Sequence, residues 1–406
     1  MRSRQLTLVF ADSPRGGKGA GPPDASDGKA FLLHITKGKA TSDLIAPAAD
    51  TDRLLEQAAS APNLATALLN VARNRGAPGV DGCSVDEVVG AARSLLPRLQ
   101  RALLAGTYQP GDIRRVWIPK PGGGQRGLGI PNVIDRWVQQ AVLQVLEPIF
   151  EPTFHDGSHG FRRSRGAHTA IAQAKAYVGE GYGIVVDLDL SKFFDRVHHQ
   201  RLVSRLAQRI ADPRILKLIR QMLKAKVVMP DGTRVSTEEG TPQGGPLSPI
   251  LSNVVLDEFD RELQRRGLRF VRYADDCNIF VRSLRAGQRV MASIRRFLER
   301  HLRLLVNEEK SKVARPEEIH FLGFRLRKAP EGKVEVHIST RTKQRLDARI
   351  RELTPRTWGQ SLATCIAKAN RYLQGWIAYF RICTEESLLL FHQQFPATQN
   401  SRENGG

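Results

Sequence analysis

The apolar positions change period several times along the chain. From about Asp52, Leu54, Leu55, Leu64, Leu68, Leu69 and Val71 recur at helical spacing, and the run stops at the turn GAPGVDG, residues 76–82. Residues 113–130, IRRVWIPKPGGGQRGLGI, read as strand, glycine-rich turn, strand. Gly122, Gly124 and Gly127 satisfy GxGxxG, but no helix follows them as a dinucleotide fold requires, so a hairpin is expected. Next, Ile134, Val138, Ala141, Val142, Val145 and Leu146 share a helical face, with Asn132 as N-cap, Asp135 three residues on and Pro148 as the stop. YGIVVDLDL, residues 182–190, reads as a buried strand. Residues 238–263 read as a Gly/Pro loop feeding an amphipathic helix, and LRFVRYADDCNIFVR, residues 268–282, as a hairpin turning at Ala274-Asp275. A helix over 289–303 and strand-like stretches at 303–306 and 319–327 follow. Strand, helix, hairpin, helix, strand is the order of a ferredoxin-like α+β sheet. Past Thr340 the chain turns helical, with Leu346, Ile350 and Leu353 as a narrow apolar stripe.

Residues 11–50 are rich in Gly, Pro, Asp and Ser and predict a loose leader. Its two GK dipeptides, Gly28-Lys29 and Gly38-Lys39, are each followed by Ala, where a P-loop needs Ser or Thr for magnesium. At 406 residues, the chain has room for two or three compact units. Charge changes the picture most: 62 basic against 41 acidic residues give +21, the footprint of a protein that binds a polyanion, most often nucleic acid. Residues 341–382 alone hold nine Arg or Lys against two acids. Cys83, Cys277, Cys365 and Cys383 form no CxxC pair, which points to a reducing cytosol and away from structural zinc. No run approaches the roughly 18 apolar residues of a membrane helix, and LTLVFA near the N-terminus is too short for a signal core, so no membrane partner is expected.

The candidate chemistry lies in acids. Asp187 and Asp189 alternate on one strand, so their side chains share a face. Asp275 and Asp276 sit at the turn of a second strand pair. Either set alone reads as exposed turn residues, or as partners of Arg272 or Arg196. Together, on neighbouring strands, three or four carboxylates would converge, an oxygen donor set suited to Mg²⁺. Two such ions about 4 Å apart are the logic of nucleotide polymerisation.

The motifs, in order, then resemble a bacterial group II intron reverse transcriptase, an intron-encoded maturase. They are PGVDG (78–82), IPKPGGGQRGLGIP (118–131), LEPIFEPTF (146–154), GFRRSRGAHTAI (160–171), DLSKFFDRVHH (189–199), GTPQGGPLSPILSN (240–253), RYADD (272–276), VNEEKSKV (306–313), HFLGF (320–324) and LQGWIAYF (373–380). The resemblance implies a right-hand polymerase with fingers, a ferredoxin-like palm and a helical thumb. It implies two Mg²⁺ ions, with Mn²⁺ as a substitute, held by Asp189, Asp275 and Asp276, while Asp187 and Asp195 match flanking positions. Lys120 and Arg126 match residues that grip the triphosphate, and Gln243 and Gly244 match the loop beside the incoming nucleotide. Phe194 matches the aromatic that excludes a 2′-hydroxyl, although from pattern alone it reads as a core Phe. Tyr273 matches a residue near the primer end. Lys310 matches a lysine that protonates pyrophosphate, against the plain alternative of a solvated charge.

On this footing the implied partners are an RNA template (group II intron RNA), a DNA or RNA primer and dNTPs, in the bacterial cytoplasm with the nucleoid or a ribonucleoprotein. The expected layout is a leader (1–50), a helical N-terminal extension (51–105), fingers (106–180), palm (181–338), thumb or maturase-like segment (339–383) and tail (384–406). Gly127 replaces the family's usual proline, and His159, Arg163 and Ser164 interrupt its SYGFRPGRSAH pattern, which bears on template grip and fidelity. Cys383–Gly406 lacks a basic helix, so a shortened thumb without an endonuclease domain is expected. Two rivals are an RNA-binding splicing cofactor with a vestigial polymerase site, and a domesticated enzyme of phage defence or DNA repair. Intact acids argue against the first. Pro249, where diversity-generating relatives carry Gln, keeps the intron class ahead.

Overall fold

The computed structural model describes residues 24–37, 51–119, 123–237, 239–241, 244–354, 359 and 361–384. Lys120, Gln243, most of the leader and nearly all of the tail lie outside them. The chain divides into two compact units, one of Met1–His155 with Ser191–Arg261, the other of Asp156–Leu190 with Glu262–Gly406.

The first unit begins with helices α1 (Ala25–Lys37), α2 (Leu54–Ala59), α3 (Ala61–Arg73), α4 (Val85–Gly90) and α5 (Ala92–Leu104). The expectation of a loose leader fails for residues 25–37, because α1 packs on α3, α4 and α5 and fully buries Leu32. Gly28 is the contact point: a Cβ there would stand 1.8 Å from the Val89 carbonyl oxygen, so the helices cross this closely only over glycine. The first GK dipeptide is thus a packing device.

Strands β1 (Ile113–Pro119) and β2 (Gln125–Ile130) form the expected antiparallel hairpin, with Ile118 opposite Arg126. Short strands β4 (Val227–Val228) and β5 (Arg234–Val235) extend it to the order β2-β1-β4-β5. Helix α6 (Val133–Phe150) departs from expectation at both ends. Pro148 lies inside the helix, whose end falls at Phe150. Asn132 makes no side-chain cap: its Oδ1 accepts from the backbone N–H of Val80 and Asp81 instead. Asp135, almost wholly buried, accepts from the Tyr108 hydroxyl and the Gly111 N–H, and burial pushes its carboxyl up to about 6. Both side chains serve long-range loops, which tie PGVDG and the approach to β1 onto α6. Asp135→Ala strands the buried Tyr108 hydroxyl and the half-buried Gly111 N–H and is expected to cost about 3 kcal/mol, read by thermal or denaturant unfolding.

Helices α8 (His199–Ala207) and α9 (Pro213–Leu223) follow in the same unit. Helix α9 buries Ile215, Leu218, Ile219, Met222 and Leu223. Helix α10 (Ser248–Arg265) runs from the first unit's segment into the second.

The second unit holds helix α7 (Ala167–Gly179) and a four-stranded antiparallel sheet of β3 (Ile184–Leu188), β6 (Arg269–Tyr273), β7 (Asp276–Val281) and β8 (Lys312–Ala314). Its order, β6-β7-β3-β8, puts the two strands that bear the acids in the middle, as a ferredoxin-like palm requires. Helix α11 (Leu284–Phe297) packs on β3, β7 and β8. A Cβ at its Gly287 would meet Val313, Ile184 and Val281, so these side chains share the α11 face. Alternation turns Val185, Asp187, Asn278 and Phe280 to the other face, where Val185 and Phe280 join a core with α7.

That core also takes in β9 (Phe324–Lys328), β10 (Val334–Ile338), α12 (Thr340–Leu353) and α13 (Leu362–Phe380) through Leu326, Val336, Leu346, Ile350, Trp376 and Phe380. Leu346 and Ile350 of the expected stripe are buried and Leu353 is half-buried. Two expectations are corrected. Residues 303–306 form no strand beyond a single Leu190–Val306 bridge, because β8 takes the free edge of β3. The helix expected over 289–303 begins earlier, at Leu284 behind an N-cap at Ser283, and ends at Phe297, followed by a wider turn (Leu298–Leu302) that the left-handed Arg303 closes. No described helix is long and apolar enough to cross a membrane.

Candidate active site

The hairpin of β6 and β7 closes through Ala274 and Asp275, with Tyr273 paired to Asp276. Ala274 sits in the left-handed region at φ 57°, a strained conformation for a residue with a Cβ. Its surroundings impose that shape. Arg272 is fully buried; its Nη1 donates to the Ala274 carbonyl at 2.8 Å and its Nη2 to Ser158 Oγ at 2.7 Å. The backbone joins the same two segments: Arg272 N–H donates to the Gly157 carbonyl and His159 N–H to the Arg272 carbonyl. At Gly160 a Cβ would stand 2.3 Å from the Ala274 nitrogen, so the loop can lie against the turn only as glycine. His159 is buried as well, its ring nitrogens bonded to Thr169 Oγ1 and Gln173 Oε1 on α7. The segment 157–160 is therefore a brace for the acidic turn. Pattern reading treats Arg272 as a partner for the acids, and nothing local in RYADD betrays that its fork reaches a backbone carbonyl and a distant serine.

Asp187 lies on β3 opposite Asn278 of β7, and Asp189 follows one residue past the strand's end. Backbone bonds hold Asp189 in place: its N–H donates to Ser311 Oγ and its carbonyl accepts from Asn307 N–H. The crowding shows in the protonation of the acids. Asp276 keeps an exposed side chain, yet the protein packed around it, then Asp275, Asp189 and Asp187 in turn, push its carboxyl up to about 7, with Lys310 pulling the other way. We attribute that rise chiefly to the neighbouring carboxylates, since the side chain retains solvent. Asp187 is also pushed up to about 7, first by burial, with Lys312 opposing and Asp189 reinforcing the shift. Lys310 Nζ stands 3.8 Å from Asp189 Oδ2. Both ends of that pair are partly solvated, which limits its strength.

The donor set fits a hard divalent cation: all donors are carboxylate oxygens, and their mutual repulsion is what such a charge relieves. Among the described residues no three acids, histidines or cysteines stand at ligand spacing. Beside Asp276, a cavity of about 380 Å³ is lined by His320, Gly323, Arg345, Tyr372 and Trp376, from β9's approach and the basic helices. Tyr273 packs against the core of this unit.

The remaining site residues belong to the first unit. Phe194 lies in a short turn (Phe193–Asp195), nearly buried, edge-on to Phe193 at 5.3 Å between ring centroids. Its carbonyl accepts from Thr241 N–H at 2.6 Å. Gly244, at φ 137°, lies so close to β2 that a Cβ would stand 2.4 Å from the Gly129 carbonyl oxygen. Phe194, Gly240, Thr241 and Gly129 of β2, the strand that also carries exposed Arg126, line a cavity of about 210 Å³ together with Arg115 and Glu239. Lys120 and Gln243 lie outside the described residues.

Comparison with known proteins shows the family. Residues 118–326 match the family described as reverse transcriptase (RNA-dependent DNA polymerase), and residues 343–393 match the group II intron, maturase-specific domain. Among curated relatives, protein YkfC of Escherichia coli is 34% identical over 337 residues, 73% of this chain and 88% of that protein. The group II intron-encoded protein LtrA of Lactococcus lactis is 35% identical over 245 residues, 60% of this chain and 39% of LtrA. A chain of a partial Cas6-RT-Cas1–Cas2 complex resembles it at 23% identity and a TM-score of 0.38, over 61% of this chain and 42% of that one, a likeness too distant to bear on its partners. The chain belongs to the reverse transcriptase family, as an RNA-directed DNA polymerase of the group II intron type whose polymerase segment is followed by a maturase-specific domain.

Proposed function

We propose that the site carries out nucleotidyl transfer onto a DNA or RNA primer 3′-end, copying an RNA template, with Asp189, Asp275 and Asp276 as the metal-holding acids. The convergence of Asp189, Asp275 and Asp276, with Asp187 beside them, at the ends of the neighbouring strands β3 and β7 is the observation that carries this reading. Reverse transcriptases generally use divalent metal ions, and here two Mg²⁺ ions would activate the 3′-hydroxyl and neutralise charge on the departing pyrophosphate. Asp187 stands beside the three metal-holding acids as a flanking one. Lys310, ion-paired to Asp189, supplies a cation at the site and a proton for the pyrophosphate. Arg126, with Lys120, neutralises the triphosphate; an Arg can do so with two parallel bonds. Gly244 lets the backbone approach the incoming nucleotide, and Tyr273 packs near the primer end.

Phe194 is assigned the sugar-facing wall that rejects a 2′-hydroxyl. Phe194→Ala should then raise incorporation of ribonucleotides relative to deoxyribonucleotides by about 10- to 100-fold, the worth of one steric contact in discrimination. Single-nucleotide incorporation kinetics with paired dNTP and rNTP substrates read this ratio, and an unchanged ratio would return Phe194 to the role of a core aromatic.

The direct test is primer extension on an RNA template with dNTPs and Mg²⁺, repeated with EDTA and with Mn²⁺. Full-length product that EDTA abolishes supports the reading. Tight RNA binding without product under any metal would favour the splicing-cofactor alternative. The group II intron RNA is proposed as the native template and splicing partner, bound in a cytoplasmic ribonucleoprotein, on the strength of the maturase-specific match and the +21 charge.

A further inference from the structure

Helix α9 buries one side completely, and its other side carries cations that the polymerase site does not use. Lys217, Arg220 and Lys224 recur at three and four residues, so they share one exposed face, and exposed Lys226 continues it toward β4. The four line the same cavity of about 490 Å³, with Tyr108, Gln109 and Asp112 on other walls.

Arg214 is engaged by Asp212 and Glu56. Lys217, Arg220, Lys224 and Lys226 form no ion pair among the described residues. The acids that face the cavity are already committed. Asp112 pairs with Arg234 at 3.2 Å, Asp135 accepts from Tyr108 and Gly111, and Asp81 accepts from the Cys83 N–H, drawn inward where burial raises its carboxyl. Four unneutralised positive charges therefore stand together beside a concave surface. From residue 217 to residue 224 the helix rises about 10 Å, the rise of about three nucleotides along one strand.

We propose that Lys217, Arg220, Lys224 and Lys226 form a docking face for the phosphodiester backbone of folded RNA, made of residues other than those of nucleotidyl transfer. The inference rests on the chain's reading as an RNA-binding polymerase and adds to it a second place where RNA is held. A membrane is the poorer occupant, because the apolar side of α9 is spent on the protein interior and leaves nothing to insert. Lysines with one bidentate-capable arginine suit phosphates read by shape, with no call on base identity.

The test compares the full chain with Lys217→Gln/Arg220→Gln/Lys224→Gln. A control variant, Arg285→Gln/Arg289→Gln/Arg296→Gln, removes the same charge from exposed positions of α11. Each is titrated with a transcript that folds into several helices and with a short primer–template duplex, over a range of salt. The α9 variant should lose about 10-fold or more in affinity for the folded transcript. Its slope of log affinity against log salt should flatten by about 2 to 3, at about 0.9 per lost phosphate contact, with the control nearer wild type. Its extension rate on the short duplex and its melting temperature should be unchanged, since the substituted side chains are exposed and unpaired. An unchanged salt slope overturns the proposal. So does an equal loss on the short duplex, which would assign the face to the template path, or an equal effect in the control, which would reduce it to general charge. If the wild type fails to extend primers at all, the polymerase reading falls, while the salt slopes still decide the docking face.

Discussion

Asp276→Ala should abolish primer extension, by about 10³-fold or more, and leave RNA affinity within about 2-fold of wild type. The magnitude follows from the several kcal/mol that metal-borne charge stabilisation contributes to phosphoryl transfer. The division follows from geometry: Asp276 stands in a cluster of acids, which repels phosphate, so its loss costs RNA binding nothing and removes a cation ligand. The substitution also relieves carboxylate repulsion, and the variant should therefore be at least as stable as wild type in the absence of metal. Extension assays beside filter or fluorescence binding read both halves. RNA affinity falling in step with synthesis would sink the assignment, because the acid would then be holding the fold or the template.

Arg272→Met should come next in size. The methionine keeps the buried stem and removes the fork that reaches the Ala274 carbonyl and Ser158 Oγ. Stranding those groups costs about 1–3 kcal/mol each in stability. The larger consequence falls on catalysis, because the strained Ala274 conformation is held by that fork and by the Gly157–Gly160 segment. Once released, the turn misplaces Asp275 and Asp276, and displacements near 1 Å are worth about 100-fold in rate. Extension should fall by about that much at a temperature where the variant is folded. Arg272→Lys, which retains the charge but has no planar fork, should recover only part of it. A lowered melting temperature with an unchanged rate would make the brace structural alone.

The contrast between these two residues shows how legible the site is. Asp276 is readable because its meaning is local: an acidic pair between β-forming runs, with a second acidic strand in period two, already says which face the carboxylates share. Arg272 is its neighbour in the same motif and is unreadable by those means. Its partner Ser158 lies 114 residues away, and only the pairing of that segment with β6 brings them together. Asn132 and Asp135 give the same lesson in reverse. They carry the local signature of a helix start, and the structure spends both on distant loops, because a buried acceptor answers to the donors that packing brings to it. The GK of Gly28 resembles a fragment of a phosphate loop and proves to be the crossing point of two helices.

By itself the sequence determined the kinds of element and much of their order, the two-residue acidic turn, the shared face of Asp187 and Asp189, the basic excess and the family. These are properties of neighbours along the chain: a side-chain period of two or 3.6 and a turn's composition need no knowledge of what lies across the core. Tertiary structure alone decided that β8, not residues 303–306, flanks β3, that residues 157–160 brace the acidic turn, that α1 belongs to the packed body, and that Lys217, Arg220 and Lys224 of α9 form no ion pair among the described residues while their neighbour Arg214 does. Each of these depends on contacts between segments distant in sequence, and the free energy that selects them, from close packing and satisfied buried polar groups, exists only once the segments meet.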